Sequence, residues 1–275
     1  MATVLVHIAL LAYVASAAVY LAWLLRSRGW LVAVGRICLL AGLLLHVAAF
    51  VVEPGLAGVG VSSGAWKSGQ LFSLLAAMTV AGYLLLDLTY RLPVAGAFVA
   101  PFVVAVMVPA HLVHSNERTV APALAHSLAL FAHVGTAALG TAALGLAFGL
   151  ALLYLASEKQ VKAKRPGRLF ARLPSLELID RAGYSLAVWG FVFLSVTIAT
   201  GSFVSKEATG VSLLFDFKQS FAILAWGLFA GLIQARLVAG WRGRRVAMLV
   251  VLGFVLLAGS YVGLLAAPAL KGGAA

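Results

Sequence analysis

Six histidines are the side chains of this sequence that most clearly suggest a site: His7, His46, His111, His114, His126 and His133. Imidazole titrates near neutral pH and is a good ligand for iron, copper and zinc. His111 and His114 share a helical face if the helix before them continues, and His126 and His133, seven apart, share a face of another. No HExxH spacing and no carboxylate cluster for calcium or magnesium accompanies them. The single cysteine, Cys38, excludes an internal disulfide, a CxxC redox pair and a CxxCH haem-attachment motif, and it reads as an apolar packing residue. The metal chemistry narrows to haem iron held by one or two axial imidazoles in apolar surroundings, with copper the lesser alternative. No catalytic constellation is present, so the chain is not read as an enzyme.

What must position these histidines is a membrane. The chain is 63% hydrophobic and only 10% charged, where a soluble domain carries roughly 25% charged residues. Eight apolar runs, at about 3–25, 31–52, 69–89, 92–110, 124–156, 182–204, 212–235 and 246–268, predict an all-α polytopic membrane protein folded as one transmembrane domain over 1–275. The stretch MATVLVHIALL lacks a basic n-region and reads as the first span rather than a cleaved signal peptide. The fifth run is the longest, with no charged side chain between Arg118 and Glu158, and it exits into the basic segment Lys159–Arg172.

Fifteen of the 20 Lys and Arg lie in the connections after the odd-numbered runs, and five lie on the other side. The richer side is cytoplasmic by the positive-inside rule, so an even number of spans puts both termini outside. The net charge of +12 is thus a topology signal in a bacterial cytoplasmic (inner) membrane, and no nucleic-acid partner is implied. In this orientation all six histidines fall in the outer half of the membrane or beyond it. His7 and His46 lie within the apolar region, where an ionisable side chain is a functional hypothesis by default. His133 stands at the outer start of the longest span.

The remaining polar features are sparse. Residues 173–186, LPSLELIDRAGYSL, predict a short amphipathic helix on the inner surface ahead of the sixth span. Gly135, Gly140, Gly145 and Gly149 allow close packing of the fifth span, and Pro101 and Pro109 predict kinks in the fourth. Asp216 and Lys218 read as a local ion pair or interface anchors, and Gln234 as a bond to a neighbouring helix. Trp66, Trp189, Trp226 and Trp241 mix interface-belt and packing positions. The basic run Lys159–Arg172 suits anionic lipid or a soluble partner equally.

Three segments together resemble the cytochrome c assembly membrane family (CcsA/HemX/YpjD-like): His133 with its long span and basic exit, residues 173–203, and residues 216–247, which end in GWRGRRVA. The resemblance is most specific over about 130–263. It implies a haem b protein of cytochrome c maturation or tetrapyrrole regulation, with proteins of those pathways as partners. His133 matches the family's outer histidine at the start of its long span. The tryptophan-rich outer segment of full synthetase subunits is missing, Gln234-Ala235-Arg236 stands where they carry a histidine, and the last span has no outer histidine. The resemblance is therefore to the reduced branch and does not carry synthetase activity over. Two other readings compete: a non-catalytic assembly or regulatory subunit, and a small-solute or proton-coupled transporter, which the scarcity of ionisable groups in the spans disfavours.

Overall fold

A computed structural model describes residues 2–26, 28–53, 65–112, 117–119, 128–163, 174–209 and 217–271. In an apolar run there is no water to satisfy backbone N–H and C=O groups, so the chain satisfies them internally as helices. Eight helices result among the described residues: α1 (Ala2–Arg26), α2 (Trp30–Val52), α3 (Ser68–Tyr90), α4 (Pro93–Leu112), α5 (Leu128–Lys162), α6 (Leu176–Thr209), α7 (Phe217–Val238) and α8 (Arg244–Lys271). They occupy the eight predicted segments. Six of them, α1, α2, α3, α5, α6 and α7, are long and apolar enough to cross a membrane. A short antiparallel ribbon was not expected: β1 (Ala65–Lys67) pairs with β2 (Glu117–Thr119), with Trp66 opposite Arg118. It joins the α2–α3 connection to the α4–α5 connection.

The chain turns sharply where its local chemistry requires it. Arg91, at φ 51°, ends α3 in the left-handed region, its N–H donating to the Asp87 carbonyl at 2.9 Å. Pro93 then opens α4, where its missing N–H would have had no helical partner. Between α7 and α8, Gly240 (φ 65°) and Gly243 (φ 69°) take the same left-handed conformation without a Cβ penalty.

One correction concerns residues 173–186. Among the described residues of this stretch there is no separate surface helix; α6 starts at Leu176 and runs unbroken for 34 residues. Ser175 caps it, its Oγ accepting from the Leu178 N–H at 3.3 Å. The charges that suggested a break are accommodated instead: Glu177 pairs with Arg181 one turn on, and Asp180 is held by a neighbouring helix.

Packing divides into two units with α5 as the common wall. One apolar core joins α1–α4 with Leu146, Leu150 and Leu153 of α5 and Ile179 and Ala182 of α6. A second joins Leu144, Ala147 and Ala151 of α5 to α6, α7 and α8. A third, smaller cluster lies at the other end: Leu74 with Leu130, Val134 and Ala138, and Phe50 and Val204 against them. Of the apolar stretch of α5, 67% is buried, against 17% for those of α6 and α7, so α5 is the central element.

The four glycines of α5 do not act alike. Gly140 gives close packing, since a Cβ there would lie 3.2 Å from the Leu194 backbone nitrogen. Gly135 has open space, and Gly145 and Gly149 border an apolar cleft of about 100 Å³ lined by Phe98, Phe102 and Phe148.

Candidate functional site

His133 sits in the second turn of α5, half-buried against α6. Its Nδ1 lies 3.0 Å from the Thr197 carbonyl oxygen. A carbonyl only accepts, so Nδ1 carries a proton, and in the neutral ring the lone pair is then on Nε2. The Thr200 hydroxyl stands 3.5 Å from the same nitrogen. Gly201 makes room for the ring: a Cβ there would fall 2.8 Å from His133 Cε1 and 3.1 Å from Nδ1.

The local register is built by both helices. Thr197 donates to Thr136 Oγ1 at 3.0 Å, Gly140 meets Leu194, and Gly190 of α6 would place a Cβ 2.5 Å from the Leu144 side chain. His133, Thr136, Gly140 and Leu144 thus face Gly201, Thr197, Leu194 and Gly190 in an antiparallel zipper, each about one helical turn from the next.

His46 is fully buried in α2. Its Nε2 is 2.7 Å from Ser73 Oγ and its Nδ1 is 3.3 Å from Tyr13 Oη. Its ring also packs on Phe50, with centroids 4.8 Å apart. Both ring nitrogens face hydroxyls, so coordination by His46 requires one of these contacts to open. His46 and His133 flank the same small cluster, with Phe50 touching both the His46 ring and that cluster. His7 is exposed on the outward face of α1, and its Nδ1 donates to the Thr3 carbonyl at 2.6 Å; the same logic leaves the lone pair on Nε2. His111 lies in the last turn of α4, with its side chain outside the described residues, as are His114 and His126 altogether. Among the described residues no three His, Cys, Asp or Glu side chains converge on a common point.

Two features escaped the sequence reading. At the basic end, Asp180 of α6 is 2.8 Å from Arg236 of α7 and accepts the Gly243 N–H at 3.0 Å. The Arg236 guanidinium lies 4.1 Å above the Tyr184 ring. This latch ties the segment 173–203 to the segment 216–247, and Asp180 and Arg236 stood in those two stretches as the visible signal. The other feature is a set of buried hydroxyls among α1, α2 and α3. Trp226, read as a belt or packing residue, also donates to Ser195 Oγ at 2.8 Å. Asp216 and the Lys218 side chain fall outside the described residues, and of the basic run, Lys162 pairs with Glu158 at 2.7 Å.

Comparison with known proteins follows the same outline. The family model described as "Cytochrome C assembly protein" matches residues 4–265. Proteins named "Cytochrome c biogenesis protein CcsA" are similar over shorter stretches. One from a Synechococcus species is 37% identical over 92 residues, covering 34% of this chain and 26% of the relative. One from Parasynechococcus marenigrum is 36% identical over 92 residues, or 34% and 30%. One from Trichormus variabilis is 34% identical over 115 residues, or 41% and 33%. The chain spans about a third or less of the length of the curated relatives it matches.

Proposed function

The chain belongs to the cytochrome c assembly protein family, and from that premise we propose that it binds haem b at the histidine end of the bundle and handles it for cytochrome c maturation. In this reading all eight helices cross the bacterial inner membrane and both termini face outside. The basic loops lie in the cytoplasm, and the haem site belongs to the outer layer. The chain acts as a binding and delivery protein rather than an enzyme, with cytochrome c biogenesis proteins as its partners.

The observation that carries the reading is the His133 imidazole. It is fixed as the Nδ1–H tautomer by the Thr197 carbonyl and given space by Gly201, which is how proteins present Nε2 to a metal. Haem bound there would supply the iron's coordination and electron-exchange chemistry. The chain's own contribution is to orient Nε2, to hold the α5–α6 register, and to exclude water with Val134, Ala138, Leu130 and Leu74. His7 and His46 are the candidates for the second axial position, with His111, His114 and His126 behind them. For His7 the ring is presented outward with Nε2 as acceptor, and for His46 a contact to Ser73 or Tyr13 must first be released.

The test is an absorption titration of the detergent-purified protein with haemin. Uptake with a Soret band that shifts in His133→Ala supports the reading. A wild-type protein that takes up no haemin sinks it. In that case the basic end, held in place by the Asp180–Arg236 latch, becomes the surface to examine for a soluble partner.

A further inference from the structure

The apolar cleft beside α5 has no part in the His133 site. Its floor is α5, where Gly145, Gly149 and Leu152 stand at i, i+4 and i+7 and share a face. Its wall is α4, where Ala95, Phe98 and Phe102 stand at i, i+3 and i+7. A Cβ at Gly149 would lie 3.9 Å from the Phe98 Cβ, and one at Gly145 would lie 3.5 Å from the Phe102 ring. The two helices therefore run antiparallel, and the missing side chains of the two glycines give the cleft its depth.

The cleft is closed toward the histidine end and open along its side. The Phe102 and Phe254 rings meet across Gly145, with centroids 6.3 Å apart, and Phe148 stacks on Phe254 at 4.8 Å. Along its rim Phe98 is 39% exposed and Leu152 36%, so the cleft faces the surrounding bilayer. Only apolar side chains and glycines line it.

Toward the basic end, floor and wall each lead to a cation. Lys159 continues the α5 stripe, seven residues after Leu152. Arg91 lies in the link between α3 and α4, four residues ahead of Ala95. In the register that sets Gly149 against Phe98, Arg91 is about level with Ala156, and Lys159 lies about 4.5 Å further on. Both side chains are exposed. The carboxylates closest to them along the chain are already taken, Glu158 by Lys162 and Asp87 by Arg36. Among the described residues neither Arg91 nor Lys159 is ion-paired.

An apolar cleft of this kind does not hold water, and left empty it forfeits the dispersion contacts of its lining. In a bilayer, hydrocarbon fills it. The two free cations at its mouth then decide what that hydrocarbon carries, since a basic pocket between helices at the membrane surface selects an anionic headgroup. We propose that the cleft binds one anionic phospholipid from the leaflet at the basic end. An acyl chain lies along Gly149 and Gly145 and stops at the Phe102–Phe254 pair. The headgroup phosphate sits between Arg91 and Lys159. The site is independent of haem and of His133.

The experiment is native mass spectrometry of the full-length protein in detergent, titrated with phosphatidylglycerol or with phosphatidylcholine of the same acyl chains. The wild type should retain one phosphatidylglycerol under activation that strips phosphatidylcholine. Arg91→Gln and Lys159→Gln should each weaken phosphatidylglycerol binding about fivefold and leave phosphatidylcholine unchanged. Gly149→Leu fills the cleft and leaves both cations in place, and it should abolish the retained lipid. Leu152→Trp, at the rim, serves if Gly149→Leu does not give folded protein. Arg26→Gln is the control. It lies at the end of α1, and α4 turns Gly96 toward Tyr20 of α1 but Phe98 about 200° away around the helix. This variant should bind as the wild type does. Equal retention of the two lipids overturns the proposal. So does a folded cleft-filling variant that still retains phosphatidylglycerol, or an Arg26→Gln loss as large as that of Arg91→Gln, since either would mean that surface charge alone holds the lipid.

Discussion

Replacing Gly201 by alanine tests how His133 is held. The new methyl would lie 2.8 Å from His133 Cε1 and 3.1 Å from Nδ1, whereas carbon contacts settle at about 3.5–4.0 Å. The ring must therefore withdraw by roughly 1 Å. The bond from Nδ1 to the Thr197 carbonyl, 3.0 Å long, does not survive such a shift. Losing the outer partner of a metal-binding histidine typically lowers metal affinity about 10–100-fold. The helix itself does not suffer in propensity, because alanine is favoured over glycine by about 1 kcal/mol in a helix interior. That gain offsets part of the roughly 1–3 kcal/mol of overpacking. Gly201→Ala should thus fold, bind haemin about 10–100-fold more weakly, and show a Soret band displaced toward that of His133→Ala. Titration by absorption, alongside a thermal melt, measures both. A variant that binds haemin with wild-type affinity and an unchanged Soret band would refute the idea that α6 orients the ligand.

Other consequences are as direct. Single-cysteine labelling in intact cells, in a Cys38→Ser background, should find positions 168 and 242 accessible only from inside and positions 67 and 206 from outside; outside labelling at 168 would overturn the orientation. Asp180→Asn leaves the mostly buried Arg236 without its counter-charge, so thermal stability should fall by about 3 kcal/mol while the haem spectrum stays put; a Soret shift would mean the basic end shapes the site. His46→Ala leaves the hydroxyls of Tyr13 and Ser73 short of a partner and should lower stability by about 2–5 kcal/mol, read from the melting midpoint without haemin; a neutral substitution would contradict the buried bonds. Neutralising Lys159, Lys162, Lys164 and Arg165 should weaken association with anionic lipid by about 1 kcal/mol per residue, and vesicle co-sedimentation showing no change would remove the lipid role.

The helices were legible in the sequence because span length and charge distribution are one-dimensional quantities. What the sequence did not show is azimuth. Depth alone made His46 look like a ligand waiting in an apolar layer, but its face is decided by Gly42, which lets the Tyr13 ring approach, and by Ser73 on the third helix. The buried hydroxyls among α1, α2 and α3 were hidden for the same reason. Hydropathy counts Tyr20, Tyr83 and Thr79 as ordinary members of apolar runs, and only the meeting of α1 with α3 turns them into a line. The start of α6 was misplaced because Glu177, Asp180 and Arg181 read as the water-facing end of a span. Asp180 is compensated by Arg236 and by the Gly243 N–H from 63 residues further along, a tertiary pairing with no local signature.

The same register that positions His133 also restricts how the site can move. Gly140 and Gly190 bring the backbones of α5 and α6 into contact, and close-packed backbones do not slide by small amounts, since any displacement smaller than a turn drives side chains into one another. Thr136 and Thr197 add a hydrogen bond that a slip would break. His133 and the Thr197 carbonyl therefore move together or not at all. Release of a ligand from His133 is then easier through the opposite wall, where Phe50, Leu71 and Leu74 of α2 and α3 pack against Leu130, Val134 and Ala138 of α5. On this argument the contact of α2 and α3 with the start of α5 is the part that opens and the α5–α6 pair the fixed one. A cross-link between α5 and α6 near Gly135 should leave haemin exchange unaffected, whereas one between Phe50 and Leu130 should slow it.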